Sequence, residues 1–180
     1  MTEQGACILY IKPDASGYYL THGGLPKGFR PTSELISHVK IHQFLVGSGS
    51  SHRAILHTHP LELIVLSHHP ELMKNEELLN RKLWQMCPEI RMFVPRGIAC
   101  CPYELPGSEA LADRTIERLP LRDVILWEKH GTLATGETIE KAFDFLDVAN
   151  KGAKLYLMAK AAGFEPTGLS EEQLNGIAAL

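Results

Sequence analysis

Short apolar runs alternate along this chain with longer segments whose apolar residues have helical spacing. Ala54-Ile55-Leu56 and the run from Asp123 to Trp127 predict buried strands. Thr138 is a candidate N-cap for a long helix through Ala162, which Gly163 would end. No repeat or linker divides the sequence, so residues 1–180 are predicted to form a single α/β domain with a mixed or antiparallel central sheet covered by helices.

Turn and capping residues predict the remaining elements. Cys7 to Leu20 predicts a hairpin with a breaker-rich turn at Pro13 to Gly17, and His22 to Arg30 predicts a loop. Thr32 or Ser33 is expected to cap a helix that the Gly47–Ser51 segment ends. Further along, the pattern predicts a helix after Pro60 with Leu61, Ile64 and Val65 inward, a helix over 76–86, a strand over 91–94, and a helix from Ser108 to about Leu119.

Charge and hydropathy argue against two classes of partner. The net charge of -3 predicts no general attraction to nucleic acid or to an anionic membrane. No apolar run approaches the roughly 20 residues that a membrane-spanning helix needs. Met1 to Gly5 has neither the basic start nor the apolar core of a signal peptide. The sequence therefore predicts a cytoplasmic protein.

The four cysteines are interpreted as reduced thiols without a catalytic role. Nothing in the sequence points to secretion, so disulfides are not expected. The adjacent pair Cys100-Cys101 also lacks the two-residue gap of a zinc knuckle. Buried cysteines of this kind behave as small apolar residues.

Three of the nine histidines have an arrangement that suits a metal ion. His57 and His59 stand two residues apart on a predicted strand, and strand side chains alternate, so both imidazoles are expected on one side. His130 follows a second buried strand and precedes Gly131, where a third ligand could approach. A catalytic zinc site takes three protein ligands and keeps one open position. The three histidines therefore predict such a site.

A His-x-His pair alone does not identify a metal site, because such pairs are common on ordinary strands. Two unpaired imidazoles beside the buried Ala54-Ile55-Leu56 run would be unfavourable, however, and a metal ion would remove that problem. The remaining histidines show no such arrangement and are interpreted as surface, core-edge or helix-end residues: His22, His38, His42, His52, His68 and His69.

A metal-assisted lyase also needs a group that moves a proton at the carbon next to a polarised carbonyl. Glu34 lies in the first turn of a predicted helix, where a carboxylate also stabilises the helix dipole. Glu89 follows Cys87-Pro88 and fits an exposed loop acid equally well. Spacing leaves the choice open among five carboxylates: Glu34, Glu62, Glu89, Glu104 and Glu128.

Several motifs occur together and in one order over nearly the whole chain. They are Pro31-Thr32-Ser33-Glu34-Leu35, His57-Thr58-His59-Pro60, Leu83-Trp84 with Glu89, and Trp127-Glu128-Lys129-His130-Gly131. In this combination the sequence resembles the class II, metal-dependent sugar-phosphate aldolases, most of all those that act on rhamnulose 1-phosphate. Several motifs in register are far more specific than His-x-His alone. The loop from Pro102 to Gly107 and the ending Gly163-Phe164-Glu165-Pro166 fit the same family.

The resemblance implies a class II aldolase fold, a metal and a reaction. The expected reaction is reversible cleavage of L-rhamnulose 1-phosphate to dihydroxyacetone phosphate and L-lactaldehyde, through an enediolate that zinc stabilises. The expected cofactor is one Zn²⁺ per chain, held by His57, His59 and His130. No Schiff-base lysine is then required.

The resemblance also implies roles for residues around the metal. Glu34 is expected to be the proton shuttle, while Thr32 and Ser33 are expected to bind the substrate phosphate. Glu89 is expected to be a second acid–base group that reaches the site of a neighbouring subunit. The resemblance further implies a homo-oligomer, most simply a tetramer, and a small-molecule sugar phosphate as substrate.

One difference from the family bears on activity. Its members normally carry a longer upstream segment with a phosphate-binding loop, whereas the first predicted strand here lies close to Met1. The chain is therefore expected to be N-terminally shortened, with an incomplete phosphate site. Two alternatives stay open: another metal-dependent sugar-phosphate enzyme of the same fold, an epimerase or dehydratase, and a metal-binding but catalytically silent homologue. The Pro-Thr-Ser-Glu run and the surroundings of Glu89 favour the rhamnulose enzyme over the epimerase and the dehydratase.

Overall fold

The computed structural model describes residues 6–14, 16–23 and 30–179, which divide into the compact units Met1–Leu35 and Ile36–Leu180. The first unit contains an antiparallel hairpin of β1 (Cys7–Ile11) and β2 (Tyr18–Gly23). The Lys12 amide donates a hydrogen bond to the Gly17 carbonyl oxygen at 3.0 Å and closes the turn. The predicted hairpin is confirmed. The predicted loop over 22–30 falls largely on residues 24–29, which lie outside the described part, as do residues 1–5 of the signal-peptide argument.

Four strands and eight helices follow among the described residues. The strands are β3 (Ala54–Thr58), β4 (Ile98–Cys101), β5 (Val124–Trp127) and β6 (Gly131–Gly136). The helices are α1 (Leu35–Gly47), α2 (Leu61–Leu66), α3 (Pro70–Lys74), α4 (Glu76–Trp84), α5 (Pro88–Phe93), α6 (Glu109–Arg118), α7 (Ile139–Ala161) and α8 (Glu171–Ala178). Across the described ranges, no helix combines the length and the apolar character that crossing a membrane requires.

The four strands form one mixed sheet in the order β3-β6-β5-β4. The pairs β3–β6 and β5–β6 are antiparallel, whereas β4–β5 is parallel. A short turn suffices between the antiparallel strands β5 and β6, while the parallel strands β4 and β5 are joined by a crossover that contains α6. The predicted mixed sheet covered by helices is confirmed.

Alternating side chains of the sheet build two apolar cores, one on each face. In β4, Ile98 and Cys100 belong to one core, and Ala99 and Cys101 belong to the other. The first core is covered by α2, α3, α4, α5 and α7, and the second by α1 and α6. All four residues of β4 and of β5 are buried, which explains why these strands read as continuous apolar runs.

The start of β4 is fixed by a side chain from α4. Asn80 is 1% exposed, and its Oδ1 accepts a hydrogen bond from the Ile98 amide at 2.6 Å. The Nδ2 of Asn80 donates to the Ile98 carbonyl oxygen at 2.8 Å. Gly97 has φ 77°, and its backbone lies so close to the Asn80 side chain that a Cβ at Gly97 would be 2.3 Å from Asn80 Oδ1. One amide side chain therefore pairs both backbone groups of Ile98, as a neighbouring strand would.

Two local predictions are wrong. Residues 91–94, predicted as a strand, lie in or directly after α5, because Pro88 starts a helix whose Ile90 and Val94 are buried four residues apart. In α2, the buried residues are Leu63 and Leu66, whereas the predicted inward residues Leu61 and Val65 are exposed. The first error comes from a short apolar segment, in which helical and extended patterns are hard to separate. The second comes from the LELIVL sequence of α2, which is apolar at every position except Glu62, so its pattern does not show which face is buried.

Candidate metal centre

The three predicted histidines meet at one end of the sheet. His57 lies in β3, His59 follows the last residue of that strand, and His130 lies in the turn between β5 and β6. One ring nitrogen from each histidine lies within 4.8 Å of the others, and the Nε2 atoms of His57 and His59 are 3.0 Å apart. Among residues 6–14, 16–23 and 30–179, these three form the group of histidine, cysteine and acidic side chains that could hold a metal ion.

A backbone carbonyl sets the orientation of the His57 ring. The Nδ1–H of His57 donates a hydrogen bond to the Thr132 carbonyl oxygen at 2.8 Å. The proton on Nδ1 leaves the lone pair of Nε2 free, and Nε2 is the atom that faces His59. This hydrogen bond therefore selects the tautomer that can bind a metal ion.

Burial keeps His57 neutral. Desolvation is the main cause that lowers the pKa of His57 from 6.5 to about 4; the nearby His59, His130 and His38 act in the same direction, and the hydrogen bond to Thr132 acts against them. A metal ion binds the neutral imidazole, so a lowered pKa favours the binding-competent form.

A tight turn delivers His130. Trp127 pairs with Gly131 at the end of the β5–β6 hairpin, and the His130 amide donates to the Trp127 carbonyl oxygen at 3.1 Å. The turn places Lys129 at φ 58°, in the left-handed region. The Lys129 amide donates to Ser67 Oγ at 2.8 Å, which connects the turn to the end of α2.

Gly131 leaves the room that the histidines need. A Cβ at Gly131 would lie 2.6 Å from both the Thr58 carbonyl oxygen and His59 Cδ2, and 3.0 Å from His57 Cε1. Real Cβ atoms essentially never approach other atoms this closely, and the Thr58 carbonyl belongs to the backbone of β3. The glycine after His130 is therefore a packing requirement of the site itself.

Trp127 forms the apolar support of the cluster. Its ring centroid lies 4.5 Å from that of His57 and 5.1 Å from that of His130. The indole Nε1–H donates to Thr115 Oγ1 at 2.9 Å, and Thr115 Oγ1 donates to the Leu111 carbonyl oxygen at 2.7 Å. Both hydrogen bonds are buried, so α6 fixes the orientation of the ring that packs against two of the histidines.

The donor set fits a divalent ion such as zinc. Three neutral imidazoles with a remaining open position are the ligands of catalytic zinc sites. The hydrogen bond from His57 to Thr132 is the outer contact that such ligands usually make. On one side His57 is half-buried and Trp127 is buried, and on the other side His59 is exposed, so the cluster is accessible from solvent.

The predicted catalytic and phosphate-binding residues of the first unit have their own local arrangement. The Glu34 amide donates to Thr32 Oγ1 at 3.2 Å, and the Ser33 hydroxyl donates to Glu34 Oε1 at 3.4 Å. Glu34 is 2% exposed. The roles of Glu34, Thr32 and Ser33 stay predictions.

Glu89 is not among the three side chains that converge. It is exposed in the first turn of α5, where hydrogen bonds from its own backbone amide and from the Cys87 thiol hold the pKa of its carboxyl below the usual range. The other carboxylates left open by spacing have ordinary partners. Glu62 accepts from Asn150, Glu104 pairs with Arg114, and Glu128 accepts from the Tyr103 amide and pairs with Lys129.

Three residues of the site gave no sequence signal on their own. Each contacts the site through one hydrogen bond. Ser67 and Thr115 are distant in sequence from their partners, Lys129 and Trp127, and Thr132 acts through its backbone carbonyl group. For Thr132, the available clue was the strand pattern that follows Gly131. A strand that pairs with β3 must present a backbone carbonyl group near His57.

Known proteins share this arrangement of elements. Residues 6–157 match the family described as Class II Aldolase and Adducin N-terminal domain. The rhamnulose-1-phosphate aldolase of Bacteroides thetaiotaomicron is 41% identical over 173 residues, which are 96% of this chain and 62% of that protein. The rhamnulose-1-phosphate aldolase of Pectobacterium atrosepticum is 34% identical over 170 residues, 93% of this chain and 60% of that protein.

A solved structure agrees with the sequence relatives. The sugar-phosphate aldolase of Thermotoga maritima superposes with a TM-score of 0.75 at 34% identity, covering 90% of this chain and 66% of that chain. An L-fuculose 1-phosphate aldolase superposes with a TM-score of 0.61 at 22% identity, which shows a common fold. The chain spans about three fifths of the length of the curated relatives it matches. By the match over residues 6–157, the chain belongs to the Class II Aldolase and Adducin N-terminal domain family.

Proposed function

We propose that this chain is a zinc-dependent aldolase that cleaves L-rhamnulose 1-phosphate to dihydroxyacetone phosphate and L-lactaldehyde. The convergence of the His57, His59 and His130 ring nitrogens within 4.8 Å carries the proposal. The 41% identity to a rhamnulose-1-phosphate aldolase supports this substrate over other sugar phosphates. The free cysteines suit a reducing compartment, so we infer that the reaction takes place in the cytoplasm.

The three histidines would hold one Zn²⁺ per chain. When bound, the ion supplies Lewis-acid stabilisation for negative charge on the substrate oxygens as the carbon–carbon bond breaks. His57 contributes a neutral ring, since burial lowers its pKa to about 4, and Thr132 holds that ring in one tautomer. Trp127 keeps water from the inner side of the cluster.

Two protons must move in the reaction, one from the hydroxyl at carbon 4 and one onto carbon 3. We assign the transfer at carbon 3 to Glu34, which is buried and precedes α1. Thr32 and Ser33 offer hydroxyls for the substrate phosphate at the start of that helix. We assign the second transfer to Glu89 of a neighbouring subunit, which would accept the proton that leaves the carbon-4 hydroxyl.

A homotetramer would bring Glu89 to a neighbour's histidines. Glu89 is exposed, which a residue that acts outside its own subunit must be. Beside it on α5, Met92 and Phe93 are 45% and 51% exposed, an apolar surface of the kind that subunit contacts bury. A head-to-tail contact that closes into a ring would repeat this arrangement at every site.

The activity is tested with zinc-loaded protein and L-rhamnulose 1-phosphate. Release of dihydroxyacetone phosphate is followed by coupled reduction with glycerol-3-phosphate dehydrogenase, and the His57→Ala variant serves as the matched inactive control. Zinc-dependent release supports the proposal. Conversion of sugar phosphates into epimers or dehydrated products without cleavage would establish the other enzyme class, and zinc binding without turnover would establish a silent homologue.

The shared site is tested by light scattering and subunit exchange. A tetrameric mass is expected at micromolar concentration. Glu34→Gln and Glu89→Gln chains, each impaired alone, should regain activity when mixed, because some sites then combine an intact Glu34 with an intact Glu89 from another chain. A chain carrying both substitutions is the control that should not complement either. A monomeric mass, or no recovery in rings that have exchanged subunits, contradicts the shared site.

A further inference from the structure

The turn that presents His130 contains a backbone conformation that its own sequence does not favour. Lys129 has φ 58°, and Lys129 is the residue among those described that has a side chain and a positive φ. The left-handed region is unfavourable for residues with a Cβ, and Asn or Asp adopts it more readily than Lys does. The turn therefore needs support from outside itself.

Ser67 supplies that support. Its Oγ accepts a hydrogen bond from the Lys129 amide at 2.8 Å, across 62 residues of sequence. The same hydroxyl donates to the Ile64 carbonyl oxygen at 2.6 Å, so its proton points away from Lys129 and its lone pair points toward it. The hydroxyl is thus held as an acceptor for one amide.

The Ser67 side chain is itself rigidly placed. Ser67 is 1% exposed at the C-terminal end of α2, and its amide donates to the carbonyl oxygens of Leu63 and Ile64 at 3.0 and 3.1 Å. Leu63 and Leu66 anchor α2 in the core that also contains β4 and β5 residues. The core of the fold therefore fixes the position of the Lys129 amide through Ser67. His130 is the next residue along the chain.

We propose that Ser67 is a positioning residue for the metal ligand His130, acting through the left-handed Lys129. This inference rests on the metal site of the proposed function, but it does not depend on the substrate or on turnover. Loss of the Ser67 hydroxyl would let the turn relax from its left-handed conformation and move the imidazole of His130 away from His57 and His59. A serine that only stabilises the fold would not affect the metal in this way.

The first test compares two serine hydroxyls that each accept one backbone amide. Ser67→Ala removes the contact to Lys129, and Ser108→Ala removes the contact to the Leu111 amide at the start of α6. Zinc affinity is measured by competition with a chromogenic chelator, and the visible spectrum is recorded with Co²⁺. We expect Ser67→Ala to weaken zinc by about 10–100-fold and to change the Co²⁺ spectrum, as loss of an outer contact to a ligand does. Ser108→Ala should leave both unchanged.

The second test is a double-mutant cycle with Lys129→Gly. Glycine adopts positive φ without strain, so the turn should then hold its shape without Ser67. The loss of zinc affinity on Ser67→Ala should be clearly smaller in the Lys129→Gly background than in the natural one. If Ser67→Ala does not yield folded protein, the comparison is made with Ser67→Cys, which keeps a weaker acceptor of similar size.

Three results overturn the inference. They are equal zinc affinity in Ser67→Ala and Ser108→Ala, an equal effect of Ser67→Ala in both backgrounds, and natural protein that binds no zinc. Only the last also removes the proposed function. Natural protein that binds zinc but does not cleave L-rhamnulose 1-phosphate would contradict the proposed function and leave the role of Ser67 intact.

Discussion

The Nδ1–H of His57 donates to the Thr132 carbonyl oxygen across the antiparallel pair β3–β6, and this directs Nε2 of His57 toward His59. We expect purified protein to carry about one Zn²⁺ per chain, because three neutral imidazoles bind zinc strongly. His57→Ala should lose the metal. Elemental analysis by mass spectrometry measures both, with His52→Ala as control, since His52 bonds Thr135 outside the cluster. Metal-free protein from chelator-free purification would contradict this prediction.

Gly131→Ala should damage the metal site although it removes no ligand. The added Cβ would lie 2.6 Å from the Thr58 carbonyl oxygen and from His59 Cδ2, so the β5–β6 turn and the His59 ring must separate. We expect zinc affinity to fall at least about tenfold, within the range known for outer contacts of metal sites. Gly176→Ala in α8 is the matched control, since nothing lies within 4 Å of its Cβ. Unchanged affinity in both variants would show that the turn adjusts freely.

Glu34→Gln should separate metal binding from turnover. The substitution keeps the size of a side chain that is 2% exposed and removes the carboxyl group that transfers the proton at carbon 3. We expect full zinc content and a loss of about 10²–10⁴-fold in kcat, the usual contribution of general acid–base catalysis. Glu104→Gln, which removes an ion pair with Arg114, should change neither quantity. Cleavage near the natural rate would remove Glu34 from the mechanism.

Asn80→Leu should destabilise the fold without reaching the metal. Leucine has a similar size but pairs neither the amide nor the carbonyl group of Ile98, which Asn80 bonds at 2.6 and 2.8 Å. Each buried, unpaired group costs about 1–3 kcal/mol, so for the two groups we expect the free energy of unfolding to fall by about 2–6 kcal/mol. Urea denaturation of the metal-free protein measures this. Asn175→Leu on the exposed side of α8 is the control, and an equal loss in both would refute the role of Asn80.

The thiols of β4 should be unreactive while the protein is folded. Burial raises the pKa of Cys100 to about 12 and that of Cys101 to about 11, so both stay protonated well above neutral pH. Because the thiolate is the reactive form, a disulfide reagent at pH 8 should label neither until the protein unfolds. The Cys7→Ser/Cys87→Ser double variant tests this directly, since it should show no rapid labelling in buffer and two thiols in denaturant.

The convergence of His57, His59 and His130 was predictable because local patterns encode it. Two residues of separation bring His57 and His59 to one side of a strand, and the apolar runs before His57 and His130 identify two strands of one sheet. The helix starts that are set by capping residues could be predicted from the sequence equally well. The predicted caps Thr138 and Ser108 accept hydrogen bonds from the amides of Lys141 and Leu111.

The supports of the centre were not predictable, because they join distant segments. Ser67 stands 62 residues from Lys129, and nothing in its own surroundings distinguishes it from other serines near helix ends. The short helix α5 was also missed. The spacing of Ile90 and Val94 becomes informative only once the packing of Ile90 against Gly152 of α7 is known. In such segments tertiary contacts, rather than propensity, decide between helix and strand.

The hydrogen bond between His57 and Thr132 joins residues 75 apart in sequence, and this has a consequence for the order of events during synthesis. When β3 has just left the ribosome, the growing chain holds two of the histidines, but it lacks the carbonyl group that fixes the tautomer of His57 and it lacks the third ring. Those arrive only when β6 leaves the ribosome and closes a long loop, a slow step for a sheet built from distant strands. We therefore expect that a metal ion held by these histidines would be acquired late in the maturation of the chain, and that a chain interrupted before β6 would compete poorly for zinc.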